Sequence, residues 1–187
     1  MKRKEINRQK AIDSTLALCL KHSFHGTSID AITAATGMSK ATIYRHFQSK
    51  EQLIEEALDF YRKESLQALS AMYNSSDLTL DEKLSSPFAM LKNAYNKETF
   101  MGCCIQKASN EYSNDDEPSI SKVCTSFKKE RIHLVETLLE QNNIAHAKEK
   151  ALKGDIILSG LLSNLQINFD AELIDMAHSM YINIMKI

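Results

Sequence analysis

Turn formers are scarce in this chain, with 5 Gly and 2 Pro among 187 residues. Sandwiches and barrels need many turns, so the shortage argues against them and for a few long helices. Long apolar runs are missing too. No stretch approaches the ~18 residues that a membrane-spanning helix needs. Charge of one sign is also lacking. A net charge of -1 beside 43% hydrophobic residues excludes a disordered chain. The length suits one domain, or a small domain joined to a larger one, with a core that needs no staples.

Cysteine is sparse and uneven. Cys19, Cys103, Cys104 and Cys124 do not form a disulfide scaffold. Met1-Lys2-Arg3-Lys4 is basic as a leader would be. However, Ile12 to Leu20 is short, contains Asp13 and leads to no small-residue cleavage site. The expectation is a cytoplasmic protein with reduced thiols, not associated with a membrane. Zinc-ligand spacing of the C-x2-C or H-x3-H type does not occur. Catalysis lacks its signatures as well, with no Gly-rich phosphate loop and no paired-carboxylate constellation. Cys103 and His133 could serve as nucleophile and base, but no motif orients them. The chain therefore reads as a non-enzyme without metal or cofactor.

What is present is an uneven charge. Residues 1–50 carry nine Lys/Arg against three acids, whereas the rest carries 14 against 21. A basic head on an acidic body places any polyanion contact in the head. Within the head, Ile12, Thr15, Leu16 and Cys19 follow helical spacing, extended by Leu20 and Phe24. His25-Gly26 should end this helix, with Gly26 in a left-handed conformation. A second helix starts at Thr27-Ser28, buries Ile29, Ile32 and Ala35, and stops at Gly37. Ser39 caps a third, with Ile43 and Phe47 inward. Ser49-Lys50-Glu51-Gln52 is a capping box for a fourth. Two short helices around a Gly turn, behind a longer one, form a helix-turn-helix, whose last helix enters the DNA major groove. Lys40, Tyr44 and His46 offer donors there, and Thr42 suits a base edge or a thymine methyl. Thr27, Ser28 and Lys50 stand at helix starts, where phosphate is favoured.

Thr27-Ser28-Ile29-Asp30-Ala31-Ile32 and the run from Gly37 to Ile54, with Thr42-Ile43-Tyr44-Arg45-His46-Phe47 at its centre, resemble the DNA-binding signature of the tetracycline-repressor (TetR) family. The likeness covers roughly residues 5–60. It implies an all-α homodimeric regulator, with a helix-turn-helix DNA-binding domain over 4–64 (the motif at about 28–47) and an effector-binding and dimerisation domain over 65–187. By position, Thr27, Ser39, Lys40, Tyr44, His46 and Lys50 fall where members touch the DNA backbone. Ala41 and Thr42 fall where bases are read, and Arg45 can reach either. Ser23 departs from a usual Gly and Cys19 from a larger apolar residue, both read as packing changes.

The body continues the helical pattern, for about nine helices in all. One helix runs from Glu51 to about Tyr73 and links head to body. Another spans Asp81 to about Lys97, with Pro87 expected to kink it or delay its start. A shorter one runs from Gly102-Cys103-Cys104 to Glu111-Tyr112, a pairing that resembles part of some TetR-family bodies. The polar loop 113–118 and a helix from Ser119 to Gln141 follow. In the last two helices, Leu158, Leu161, Leu162 and Leu165, then Leu173, Ala177, Met180, Tyr181 and Ile184, form stripes expected to pair with a second subunit in a four-helix bundle. The alternative is that both stripes cover the monomer's own core.

A small apolar effector, itself unknown, would meet Phe88, Leu91, Tyr95, Met101, Ile105, Tyr112 and Phe127. The expected function is a repressor released from a palindromic duplex operator by that effector. The alternative is a thiol- or electrophile-sensing regulator using Cys103/Cys104, where a helix N-terminus could activate one thiol. Adjacent residues on a helix diverge by about 100°, so one of the pair should face inward. A third class, a sequence-independent architectural DNA binder, fits poorly with an exposed Thr42 and Arg45.

Overall fold

A computed structural model describes residues 3–113, 118–168 and 170–186. Among them are nine helices and no strand, as the turn shortage predicts. They are α1 (Arg3–His22), α2 (Ile29–Thr36), α3 (Lys40–His46), α4 (Lys50–Asn74), α5 (Leu80–Asn96), α6 (Cys104–Glu111), α7 (Pro118–Gln141), α8 (Ala147–Ile167) and α9 (Ala171–Lys186). Most of the expected polar loop after Ser113 lies outside the described residues. No described helix is long and apolar enough to cross a membrane.

Local chemistry sets most helix ends. Ser28 and Ser39 accept from the Ala31 and Thr42 N–H groups, satisfying donors that the first helical turn leaves open. Thr79 and Glu82 form a reciprocal capping box on α5. Gln52 N–H donates to Ser49 Oγ, but the Gln52 side chain returns to the N–H of Gln48 rather than of Ser49. Pro87 neither delays α5 nor ends it, and the helix starts at Leu80. The ring cannot serve the Lys83 carbonyl, and the Ser86 hydroxyl donates to that carbonyl instead, at 2.7 Å.

The end of α1 differs from expectation. The left-handed residue is Ser23, at φ 92°, and Gly26 has no positive φ. Ser23 Oγ accepts from the Gly26 N–H, and a Cβ on Gly26 would stand 2.8 Å from that oxygen. The glycine therefore serves close approach. Ser23 is a backbone exception, not only the packing change it resembled. The third residue of the expected α2 apolar face also shifts. Ala35 is exposed and Thr36 is buried, its hydroxyl donating to Ile32 O at 2.7 Å.

Contacts divide the described chain into two compact units. The first holds the residues through Glu64 together with Cys103–Phe127. The second holds Ser65–Gly102 and the residues from Lys128 onward. In the first, Ile12, Ile32, Ile43, Phe47, Leu53 and Ala57 form a core at 3% exposure or less. Each large side chain there contributes ~1.5–3 kcal/mol by burial. The α6 helix belongs to this unit and is tied to the end of α1. Glu111 accepts from the Phe24 and His25 N–H groups (3.0 and 2.8 Å), and Lys107 donates to Leu20 O (2.8 Å). His25 Nε2 lies 3.0 Å from Glu111 O, and its ring packs on Tyr112.

In the second unit α9 packs against α8 and α5. Leu84, Phe88, Leu139, Leu161, Leu165, Ile174, Tyr181 and Met185 lie in its core. Gly154 makes room here, since a Cβ would meet the Tyr181 ring at 2.6 Å. The buried Asp155 carboxylate is held by Arg131, whose Nε is 3.1 Å away, and by Lys128 at 3.5 Å. A buried carboxylate without such partners would cost several kcal/mol.

Ser23 occupies a conformation that costs an L-residue about 1–2 kcal/mol. Ser23→Gly removes that cost and loses one exposed hydrogen bond, worth about 0.5–1.5 kcal/mol. Thermal unfolding should therefore show a small gain in stability, and a loss above about 1 kcal/mol would show the hydroxyl bond to be the larger effect.

Candidate nucleic-acid interface

The orientation of α3 follows from its two apolar residues. Ile43 and Phe47 are each 1% exposed, and a helical period of 3.6 then turns the intervening positions outward. Lys40, Ala41, Tyr44 and Arg45 are exposed, with Thr42 half-buried beside them. Gly37 at φ 68° ends α2 and lets the chain reverse. Buried Thr36 accepts from the Met38 N–H at 3.3 Å, fixing the turn. Behind α3, Arg8 lies 5.3 Å over the Phe47 ring and bonds Glu56 on α4.

The exposed face is rich in donors. Ser39 Oγ and Thr42 Oγ1 are 3.0 Å apart. Lys40 Nζ pairs with Asp30 at 2.6 Å, and both side chains are open to solvent. That hydrogen bond holds the Lys40 ammonium charged, pushing its pKa up. Exposed pairs of this kind contribute little, so Asp30 holds Lys40 only weakly. Ser28 is exposed, and Lys50 is half-buried at the start of α4.

Thr27 stands apart from the other residues expected at DNA. It is 2% exposed, and its hydroxyl donates to Ser23 O at 2.6 Å. Its side chain ties the α1–α2 turn and presents nothing outward. His46 is half-buried, and both ring nitrogens are buried with no hydrogen-bond partner. Desolvation, then the charges of Arg45, Lys4 and Arg8, push its pKa down.

An open groove of about 740 Å³ runs beside this face. Ser39, Thr42, Arg45 and His46 line one side, and Lys4, Asn7 and Lys10 of α1 contribute the other. Sequence reasoning does not single out these α1 residues. Their three-residue spacing places them on one helix face, but nothing in the sequence says that this face borders α3.

The other expected residues are distributed differently. Phe88, Leu91, Tyr95 and Met101 belong to the second unit, and Ile105, Tyr112 and Phe127 to the first. Phe88 is core, 4.9 Å from the His178 ring, whereas Tyr95 and Met101 are exposed. Tyr95 lines a shallow pocket of about 240 Å³ with Ala94, Glu98 and Phe100. Cys104, the first residue of α6, is buried, and Cys103, its extended N-cap, is half-buried. Burial pushes the Cys104 thiol far up, and holds Cys19 and Cys124 at about 11. None of these three is a ready thiolate, so thiol chemistry narrows to Cys103.

The expected dimer stripes divide as well. Leu161, Leu165, Ala177 and Tyr181 are core residues of the second unit, because α8 and α9 use that side to pack on their own chain. Leu158, Leu162, Leu173 and Ile184 are half-buried, and Met180 is exposed. The largest apolar exposures on these helices are Ile156, Ile167 and Met176, at 70%, 87% and 60%. Those positions escape the sequence reading because an apolar pattern all round a helix does not say which side is inward.

Residues 11–57 match the family model of bacterial regulatory proteins of the tetR family. That match covers α2, α3 and the parts of α1 and α4 that pack against them. A stretch of 54 residues is 35% identical to YerO of Bacillus subtilis, an uncharacterised HTH-type transcriptional regulator, covering 29% of this chain and 19% of that one. Over 123 residues it is 22% identical to IcaR of Staphylococcus aureus, the negative transcriptional regulator of the biofilm operon icaADBC, covering 66% of each. The matched stretch thus spans less than two thirds of either relative. Among solved structures, reduced E. coli NemR superposes with a TM-score of 0.83 at 19% identity, covering 95% of both chains. A TetR regulator from Chloroflexus aurantiacus gives 0.82 at 24%, covering 100% of this chain and 97% of that one. Likenesses at these identities show a shared all-helical fold among the described residues.

With its ring desolvated among cations, His46 should titrate below the ordinary 6.5 in the free protein. A depressed folded pKa means its contribution to stability is present above the unfolded value and is lost as pH falls through the folded one. Imidazole proton shifts followed by NMR check this, and a value above 6.5 would contradict the geometry.

Proposed function

We propose that the chain is a homodimeric, sequence-specific repressor that leaves a palindromic operator when a small apolar effector binds its C-terminal part. The observation that carries this reading is the outward row of Lys40, Ala41, Thr42, Tyr44 and Arg45 on a helix anchored by Ile43 and Phe47. Lys40, Ser39, Ser28, Tyr44, His46 and Lys50 supply phosphate contacts. Ala41 and Thr42 read bases, and Arg45 reaches either. DNA reading is assigned to residues 4–64, and effector binding and dimerisation to 65–187.

Affinity arithmetic supports a dimer. One short helix reads few base edges, each worth ~1–3 kcal/mol. Two heads on one body double the readout at half-sites of fixed spacing. The exposed apolar residues Ile156, Ile167, Met176 and Met180 give α8 and α9 a face for a second copy. Gly160 on α8 has nothing within 4 Å of an added Cβ, leaving space for a close backbone. An effector would act by favouring the conformation in which the heads no longer match the half-sites. The Glu111 and Lys107 ties from α6 to the end of α1 offer a route for that change.

Selection from a random duplex pool tests the reading, followed by binding at several salt concentrations. Palindromes should be enriched. Lys40→Ala should weaken every site and lower the salt slope by about one unit per head, whereas Thr42→Ala should change the preferred bases. Enrichment without symmetry, or a protein that sediments as a monomer at the operator, would contradict the dimeric repressor.

A second reading, a thiol-sensing regulator, is favoured by one observation. Cys103 is half-buried at the N-cap of α6, the helix that carries the ties to the head. Under this reading oxidant abolishes operator binding by the wild type but not by Cys103→Ser. Equal responses of the two proteins would dismiss it.

A further inference from the structure

The groove beside α3 is built from two helices, and only one of them belongs to the helix-turn-helix. Lys4 and Lys10 are exposed, Asn7 is half-buried between them, and Arg45 and His46 face them across the opening. None of the groove's lining residues is acidic. Arg8, on the same helix, is neutralised by Glu56, and Lys40 by Asp30, but both of those pairs lie outside this lining. The groove therefore gathers positive charge around an open space, an arrangement that an anion stabilises.

A second feature points the same way. Both ring nitrogens of His46 lack a protein partner at the groove wall. An unpartnered buried imidazole N–H is a standing cost, relieved where an acceptor reaches it. A phosphate oxygen is such an acceptor. The six residues from Lys4 to Lys10 advance about 9 Å along α1. Nucleotides of one strand advance about 3.4 Å each along the duplex axis. The two lysines are therefore far enough apart to meet different phosphates of one strand.

We propose that the α1 face formed by Lys4, Asn7 and Lys10, together with Arg45 and His46, is a second seat for the phosphodiester backbone of duplex DNA. This rests on the reading of the head as an operator-binding unit and extends its footprint from the helix-turn-helix onto α1. Base reading stays with α3. The seat adds affinity without sequence information and sets how the head is rolled about the duplex.

The test uses the full chain and the duplex that wild-type protein enriches from a random pool. Lys4→Gln/Lys10→Gln should bind that duplex at least about tenfold more weakly near physiological salt. Its slope of log affinity against log salt should fall by roughly 0.9 for each phosphate that is no longer neutralised, up to four in a dimer. The double variant should enrich the same sequence from the pool. Lys4→Arg/Lys10→Arg, which keeps the charge, should retain the wild-type slope. Lys21→Gln, at the other end of α1, is the control for simple loss of charge from the head. Both substituted positions are exposed, and an unchanged melting temperature verifies folding.

An unchanged slope in the Gln variant, with Lys40→Ala still lowering it, would overturn the seat while leaving the helix-turn-helix reading intact. An equal loss in Lys21→Gln would overturn it in favour of a diffuse field. A changed sequence preference would show that α1 contacts bases, not phosphates. Failure of the wild type to enrich any duplex would remove the operator reading itself, and this proposal with it.

Discussion

Two apolar side chains, one inside a seven-residue helix and one at its C-cap, decide how the head meets anything outside it. Ile43 and Phe47 are fixed in a core with Ile12, Ile32 and Leu53. A helix that short has little stability of its own. Its direction and its rotation about its axis come from that packing. Because Ile43 and Phe47 lie four residues apart, the side opposite them carries Ala41, Thr42 and Arg45, while Lys40 and Tyr44 are exposed at its flank. The exposed face is thus the complement of the buried one. Arg8, lying across Phe47 and bonded to Glu56, braces the same anchor from behind.

The head is a larger unit than the helix-turn-helix signature. Glu111 occupies two backbone donors at the α1–α2 junction, and Lys107 takes a carbonyl at the end of α1. Both partners are main-chain groups that a helix end leaves open. Charged side chains from α6 thereby complete the termini of head helices, and charge-assisted bonds are the strong ones. Any motion of α6 must break these bonds or carry the junction along. Cys103 and Cys104 stand at the start of that same helix.

Polar groups in the second unit show the same economy. Asp155 is admitted to the interior because Arg131 and Lys128 converge on it. Pro87 is admitted to α5 because Ser86 serves the carbonyl that the ring leaves open. Gly154 is needed where Tyr181 presses on α8, whereas Gly160 faces open space. Two glycines six residues apart on one helix thus have unrelated reasons to be there. The exposed run of Ile156, Ile167, Met176 and Met180 lies where α8 and α9 no longer pack on their own chain.

Local chemistry was legible in the sequence. The helical class, the caps at Ser28 and Ser39, the turn at Gly37 and the outward side of α3 all follow from residues within a few positions of one another. Such interactions act over a single turn and depend on nothing distant. What the sequence left open were choices between faces. Leu161, Leu165, Ala177 and Tyr181 look as fit for a partner as for a core, and only the packing of α8 on α9 made them core. Thr27 resembles a phosphate contact until its hydroxyl is seen bonded to Ser23 O. Lys4, Asn7 and Lys10 form a groove wall only because α1 lies against the turn that follows α2. Burial is a property of pairs of elements, and apolar periodicity states which residues share a side, not what that side meets.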